Sequence, residues 1–140
     1  MDLPKIIFGG KHSDERGKLL FNNDFDTSQI KRIYIIEHKS ISFERGWQGH
    51  KIEQRWFFSM SGSFKISLIA VDNWITPSND IKPIEYILKE SKFNVLHVPA
   101  GYITSIQAIE KSSKLIVMSD YFINEINDEY RFPINYFKQN

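Results

Sequence analysis

The stretch Arg45–Met60, "RGWQGHKIEQRWFFSM", decides how the chain is read. Taken as one strand from Gln48 to Met60, its side chains alternate between two faces. One face carries Gln48, His50, Ile52, Gln54, Trp56 and Phe58, running from polar to aromatic. That gradient suits the inner wall of a barrel with a wet mouth and a dry floor. The other face carries Gly49, Lys51, Glu53, Arg55 and Phe57; it is mostly charged and is expected to be solvated. Gln48, His50 and Gln54 are thereby nominated as cavity residues, and of these only His50 titrates near neutral pH.

Outward from this stretch the chain is a series of short β-rich runs divided by turn residues. "KIIFGG" precedes a loop, "KHSDERG", and a run "KLLF"; "IKRIYIIEH" gives a further strand. "SGS" turns the strand ending at Met60 into "FKISLIAV", a hairpin. "DNWITPSND" is a loop, Pro83 puts "KPIEYILKE" at an edge or a strand entry, and "EKSSK" is a second hairpin turn. Only the tail, "INEINDEYRF", offers a helical start. Many strands and almost no helix predict an all-β, jelly-roll type barrel.

At 140 residues, 41% hydrophobic and 25% charged, the chain is read as one domain, 1–140. A net charge of +1 without a Lys/Arg run argues against nucleic acid as a partner. No cysteine is present, which excludes disulfides, thiolate metal sites and a cysteine nucleophile. "MDLPKIIFGG" has no signal-peptide pattern and no apolar run reaches membrane length, so a cytoplasmic location without membrane contact is the default expectation. "FGG" and "SGS" are single turns, not a phosphate cradle.

In order and spacing, "DERGKLLF…IKRIYIIE…RGWQGHKIEQRWF…SGSFKISL…LHVPAGY…LIVMSDYF…YRF" resembles the sugar 3,4-ketoisomerase family of cupins. More distantly, through "RG-x-H" and a "P-x-G" strand start, it is similar to dTDP-sugar 3,5-epimerases. The resemblance implies a cupin jelly roll, a homodimer that exchanges strands, and action on a dTDP-4-keto-6-deoxyhexose in bacterial surface-sugar biosynthesis. The ketoisomerase motif Arg-Gly-x-His-x-His-Lys matches Arg45, Gly46, His50 and Lys51, while its first His falls on Gln48. The epimerase base falls on Gln48 as well.

That departure bears on the chemistry. Shifting a carbonyl along a sugar ring takes a base for the carbon-bound proton and a donor for the enolate oxygen. Gln48 can hold the keto oxygen but cannot be the base. His50 is the retained acid–base residue, and Tyr34, Tyr102, His97 and Glu53 are the candidates for a second proton carrier. Tyr34 shares its face with Arg32 and Ile36. The cupin metal positions fall on Gln48, His50 and Thr104, a poor ligand set, so no metal or other cofactor is expected. For a nucleotide-sugar, Arg45, Arg16 and Arg32 are candidate diphosphate ligands. Trp47, Trp56 or Tyr34 could stack on base or sugar, and Lys51 and Gln54 complete the candidate binding set. Arg16 has a second reading, a turn pair with Asp14 or Glu15. An enzyme and a non-catalytic nucleotide-sugar-binding cupin are both compatible with Gln48.

Overall fold

The computed structural model describes residues 2–137. Its strands are β1 (Lys5–Ile7), β2 (Gly10–Asp14), β3 (Gly17–Phe21), β4 (Arg32–Glu37), β5 (Glu44–His50) and β6 (Arg55–Ser61), followed by β7 (Ser63–Ala70), β8 (Ile84–Lys89), β9 (Val95–Val98), β10 (Tyr102–Ala108), β11 (Lys114–Ser119) and β12 (Tyr130–Arg131). One antiparallel sheet has the order β1-β9-β6-β11-β4 and the other β12-β5-β10-β7-β8, while β2 and β3 pair only with each other. The all-β jelly-roll expectation agrees with this. No helix among the described residues is long and apolar enough to cross a membrane.

The inner faces of the two sheets meet in a core that includes Phe57, Phe64, Leu68, Leu96, Leu115 and Val117. Both outer faces are covered too. Trp47, Ile69 and Ile103 lie beneath Trp74 and the C-terminal Phe132, Tyr136 and Phe137. On the other sheet Trp56, Phe58 and Met118 lie beneath Phe25, Ile30 and Phe93. Strands buried on both faces lose the apolar–polar alternation of a half-exposed sheet, which is why Arg55–Ser59 is continuously buried. At the turn between β6 and β7, Gly62 has φ 69°, and a Cβ there would lie 2.0 Å from Ser113 Oγ. The "SGS" turn therefore needs its glycine. It is not the expected hairpin: β6 belongs to the first sheet and β7 to the second. The "EKSSK" turn likewise carries β10 of the second sheet into β11 of the first.

Two further expectations are corrected. Gln48–Met60 is not one strand: β5 ends at His50, residues 51–54 cross between the sheets, and β6 begins at Arg55. The crossing changes the phase. Gln48 and His50 point inward from β5, but in β6 it is Arg55 and Phe57 that point inward while Trp56 and Phe58 join the outer cluster. The supposedly solvated charges Glu53 and Arg55 are 8% and 7% exposed. Second, "INEINDEYRF" is not helical; it runs through bends, with Asn124 at φ 64°, into β12, whose Tyr130 and Arg131 pair with Gly49 and Gln48.

Candidate functional site

A cleft of ≈ 340 Å³ opens between β4 of one sheet and β5 of the other, lined by Tyr34, Ile36, Arg45, Gln48, His50, Arg55, Phe57 and Thr104 among others. It continues, through shared walls at Tyr34, Arg45, Gln48, His50 and Arg55, into a second space of ≈ 350 Å³. Arg32, Ile123, Asp128, Glu129 and Arg131 wall that second part. The combined volume is of the order expected for a small-molecule site of about 300–1,000 Å³.

His50 ends β5, opposite Tyr102 of β10, and is 8% exposed. Its Nδ1 lies 3.0 Å from the backbone oxygen of Asp128 and 3.0 Å from Glu53 Oε2. A carbonyl oxygen only accepts, so Nδ1 carries the hydrogen and Nε2 keeps its lone pair. Burial and, after it, the Arg55 cation hold the imidazole below its ordinary 6.5, against the opposing pull of Glu53 and Asp128. At neutral pH the ring is uncharged and able to accept a proton.

Beside it runs a bonded chain. Arg55 Nη2 donates to Glu53 Oε2 at 2.8 Å, and Arg55 Nη1 donates to the phenol oxygen of Tyr34 at 2.7 Å. Glu53 Oε1 accepts from Ser119 Oγ at 3.2 Å. Since Tyr34 accepts from Arg55, its own hydroxyl hydrogen is available to a group in the cleft. The Arg32 guanidinium lies 4.6 Å from the Tyr34 ring centroid and braces it from the side.

Gln48 pairs with Thr104 across β5 and β10, and its Nε2–H donates to Glu129, which also accepts from Arg131. That fixes the amide: nitrogen towards the carboxylate, with the carbonyl oxygen and the second N–H left for a ligand. Arg45 Nε donates to His38 Nε2 at 3.4 Å. His38 is held below 6.5 by burial and by Arg45, so it stays neutral and leaves the outer nitrogens of Arg45 free.

His50, Glu53 and Asp128 are close enough to be considered as metal ligands. Their oxygens are already engaged. Both Asp128 carboxylate oxygens accept backbone N–H groups from residues 51–53, both Glu53 oxygens accept hydrogen bonds, and Arg55 brings a cation against Glu53. This donor set does not fit a divalent ion, which needs free lone pairs and no adjacent cation.

The structure brings His50, Gln48, Tyr34, Arg45 and Arg32 to one cleft and separates the rest of the nominated set from it. Trp47 is 5% exposed on the covered outer face of β5, where its Nε1 donates to the Ile134 carbonyl. Trp56 stacks on His97 on the other outer face. Gln54 follows that side, bonding Asp120 and His97. Lys51 is exposed, and only its backbone is engaged. Arg16 adopts its second reading, donating to Asp14 at 2.6 Å at the tip of the β2–β3 hairpin. Tyr102 is buried in the core with its hydroxyl donating to the Asp2 carbonyl, and neither it nor His97 lines the cleft.

The sequence reading missed Arg55, Asp128 and Glu129, and it turned Glu53 the wrong way. One signal was present: Glu53 and Arg55 are opposite charges two residues apart, just before an uninterrupted aromatic run.

The family described as FdtA (WxcM-like, C-terminal) matches residues 1–139. No curated protein matches the chain by sequence. Among solved structures, a 3,4-ketoisomerase from Helicobacter canadensis is 26% identical with TM-score 0.71, covering 96% of this chain and 95% of that one. A mutant of the 3,4-ketoisomerase QdtA from Thermoanaerobacterium thermosaccharolyticum, in complex with TDP-4-keto-6-deoxyglucose, is 20% identical with TM-score 0.72 over 96% and 91% of the two chains. The rmlC epimerase of Mycobacterium tuberculosis is 14% identical with TM-score 0.73 over 94% and 70%, a likeness of fold. With the family match spanning nearly every residue and the same jelly-roll framework recurring in these structures, the chain belongs to the FdtA/WxcM-like family of sugar 3,4-ketoisomerases.

Proposed function

We propose that the chain is a sugar-nucleotide ketoisomerase acting on a dTDP-4-keto-6-deoxyhexose. The observation that carries this reading is the His50 imidazole: neutral, its Nδ1–H engaged, its Nε2 in a cleft that Tyr34 also lines. His50 Nε2 takes the proton from C3, and the C3–H electron pair becomes the C3=C4 bond. The C4 carbonyl pair moves onto oxygen, which takes the Tyr34 hydroxyl proton to give an enediol. The C3 hydroxyl then returns a proton to the Tyr34 oxygen as the C3 carbonyl forms, and His50 delivers its proton to C4. Atoms balance, and both residues end as they began.

Arg55 stabilises Tyr34 while the phenol oxygen is negative, and Glu53 stabilises His50 while the ring is positive. Arg32, Arg45 and Arg131 supply positive charge for the diphosphate. Gln48 binds a sugar oxygen and takes no proton. A homodimer that exchanges the β2–β3 hairpin, in the cytoplasm, belongs to the same proposal. Its support is that this hairpin pairs only with itself and leaves Leu19 61% exposed, with Arg16 at a tip that such an exchange could carry to a partner's cleft. Light scattering of the purified chain tests the dimer.

Incubation with dTDP-4-keto-6-deoxyglucose in D₂O tests the reaction. Deuterium is expected beside the keto group, with His50→Ala slowing its entry by about 10²–10⁴. No exchange, or exchange indifferent to His50→Ala, overturns the reading. A second reading, a cupin that binds the nucleotide-sugar without turnover, is favoured by the Gln48 amide held to Glu129. Under it, calorimetry gives binding indifferent to His50→Ala and no deuterium enters.

A further inference from the structure

The Nδ1–H of His50 has two acceptors, and Asp128 places both. One is its own backbone oxygen, 3.0 Å away. The other is Glu53 Oε2, also at 3.0 Å. Glu53 stands there because its backbone N–H donates to Asp128 Oδ2 at 2.7 Å. Ile52 N–H donates to the same oxygen at 2.8 Å, and Lys51 N–H donates to Oδ1 at 2.9 Å. Asp128 is 5% exposed, so these are interior contacts that water does not replace. It also lies two residues before β12, which pairs with β5 just ahead of His50. One side chain therefore pins the crossing after His50 while its backbone pins the ring.

We propose that Asp128 is a positioning residue: clamping the 51–53 crossing with its carboxylate and the imidazole with its carbonyl, it holds His50 in one tautomer with Nε2 as the nitrogen left for the substrate. A wrong tautomer would present an N–H where a lone pair is required. That Nε2 then moves protons rests on the isomerase reading above; the tautomer does not. The groups that set the titration of His50 are Glu53 from the crossing, Arg55 from β6 and Asp128, and Tyr34 of β4 and Arg45 of β5 line the same cleft.

Three substitutions grade the clamp. Asp128→Asn turns one acceptor into an NH₂ that meets backbone N–H groups, Asp128→Ala removes all three bonds, and Asp128→Glu keeps two acceptor oxygens. The imidazole of the intact chain is followed by long-range ¹H–¹⁵N NMR through a pH titration, with kcat and KM measured in parallel. Wild type is expected to show His50 as the Nδ1–H form alone. Asp128→Asn and Asp128→Ala are expected to mix the tautomers, displace the His50 titration, and lower kcat at least about tenfold, part of the 10²–10⁴ a placed acid–base group supplies. KM should change little, and Asp128→Glu should recover part of the loss.

The proposal is overturned if wild-type His50 is mainly the Nε2–H form, or if folded Asp128→Asn keeps the wild-type tautomer and titration. The wild-type spectrum decides even where Asp128→Ala does not fold. If wild type shows no turnover but its tautomer is lost in Asp128→Asn, the isomerase reading fails and the positioning role stands. If wild type turns over and Asp128→Asn matches it in kcat and titration, the reverse holds.

Discussion

The guanidinium of Arg55 bridges Glu53 and Tyr34, 2.8 Å from the carboxylate and 2.7 Å from the phenol oxygen, at side-chain exposures of 8% for Arg55 and 10% for Glu53. The pair separates the two groups on which proton transfer is proposed to rest, and it opposes itself at His50, where Arg55 pulls the pKa down and Glu53 pulls it up. Removing one member leaves a buried charge unpaired, which costs about 3–5 kcal/mol. Arg55→Met is therefore expected to lose stability on that scale and to raise the His50 pKa, moving the acid limb of kcat/KM to higher pH. Glu53→Gln is expected to lower the His50 pKa. Chemical denaturation and NMR titration read the two effects separately, and a pKa moving the same way in both variants would refute the assignment.

Tyr34→Phe removes the acceptor of Arg55 Nη1 in a residue whose Nε already lacks a partner. A stability loss of about 1–3 kcal/mol is expected from the unsatisfied donor. The loss in kcat should be larger than this implies, about 10²–10⁴, because the variant lacks the proton donor proposed for the enolate oxygen. Affinity for TDP, measured by calorimetry, should stay within a few-fold, since Arg32 and Arg45 remain. An undiminished kcat would remove Tyr34 from the reaction.

What the sequence made legible follows from how locally each feature is encoded. β4, β7, β10 and β11 are written in short-range apolar runs and turn residues, and they stand where expected. The "SGS" and "EKSSK" turns stand there too, but each joins strands of different sheets and not a hairpin, because strand pairing is not encoded locally. Gln48 and His50 were legible through alternation within β5, and Tyr34 and Arg32 through alternation within β4. Arg45 was legible only through the family motif, since it shares the cleft by a register shift between it and Gln48. The crossing at 51–54 was not, because no glycine or proline marks it. It is made by a carboxylate 75–77 positions further along. Glu53 and Arg55 looked solvated because each is buried only on account of the other. Trp47 and Trp56 looked like ligand platforms because alternation cannot report that both outer faces are covered.

Gly49 tests that outer layer from the site's own strand. A Cβ there would lie 2.7 Å from Trp74 Cζ3 and 2.8 Å from Ile103 Cγ1, on the side of β5 away from the cleft. Gly49→Ala is expected to cost about 1–3 kcal/mol through overpacking, read as a lower denaturation midpoint. A change below about 0.5 kcal/mol, the scale of a neutral surface substitution, would mean that Trp74 moves aside freely.

Acidification should weaken the fold through three histidines. His38, His50 and His97 are each held below their ordinary 6.5, with burial as the largest cause in every case. An unfolded chain lets them titrate normally, so between the folded values and 6.5 the unfolded state binds more protons than the native one. Stability then rises with pH through that window and is lost as pH falls through it. Exposed Asp72, held below 3.8 by Ser78, acts in the same direction at lower pH, so the two windows are separate. Denaturation free energy measured from neutral pH down to about pH 5 should decline with a slope reporting net proton uptake on unfolding. His97→Gln removes one of the three titrating groups on an outer face remote from the cleft. It should flatten the slope without moving the acid limb of kcat/KM, which the proposed mechanism assigns to His50. A flat stability profile in wild type would mean that the buried imidazoles titrate as freely as exposed ones.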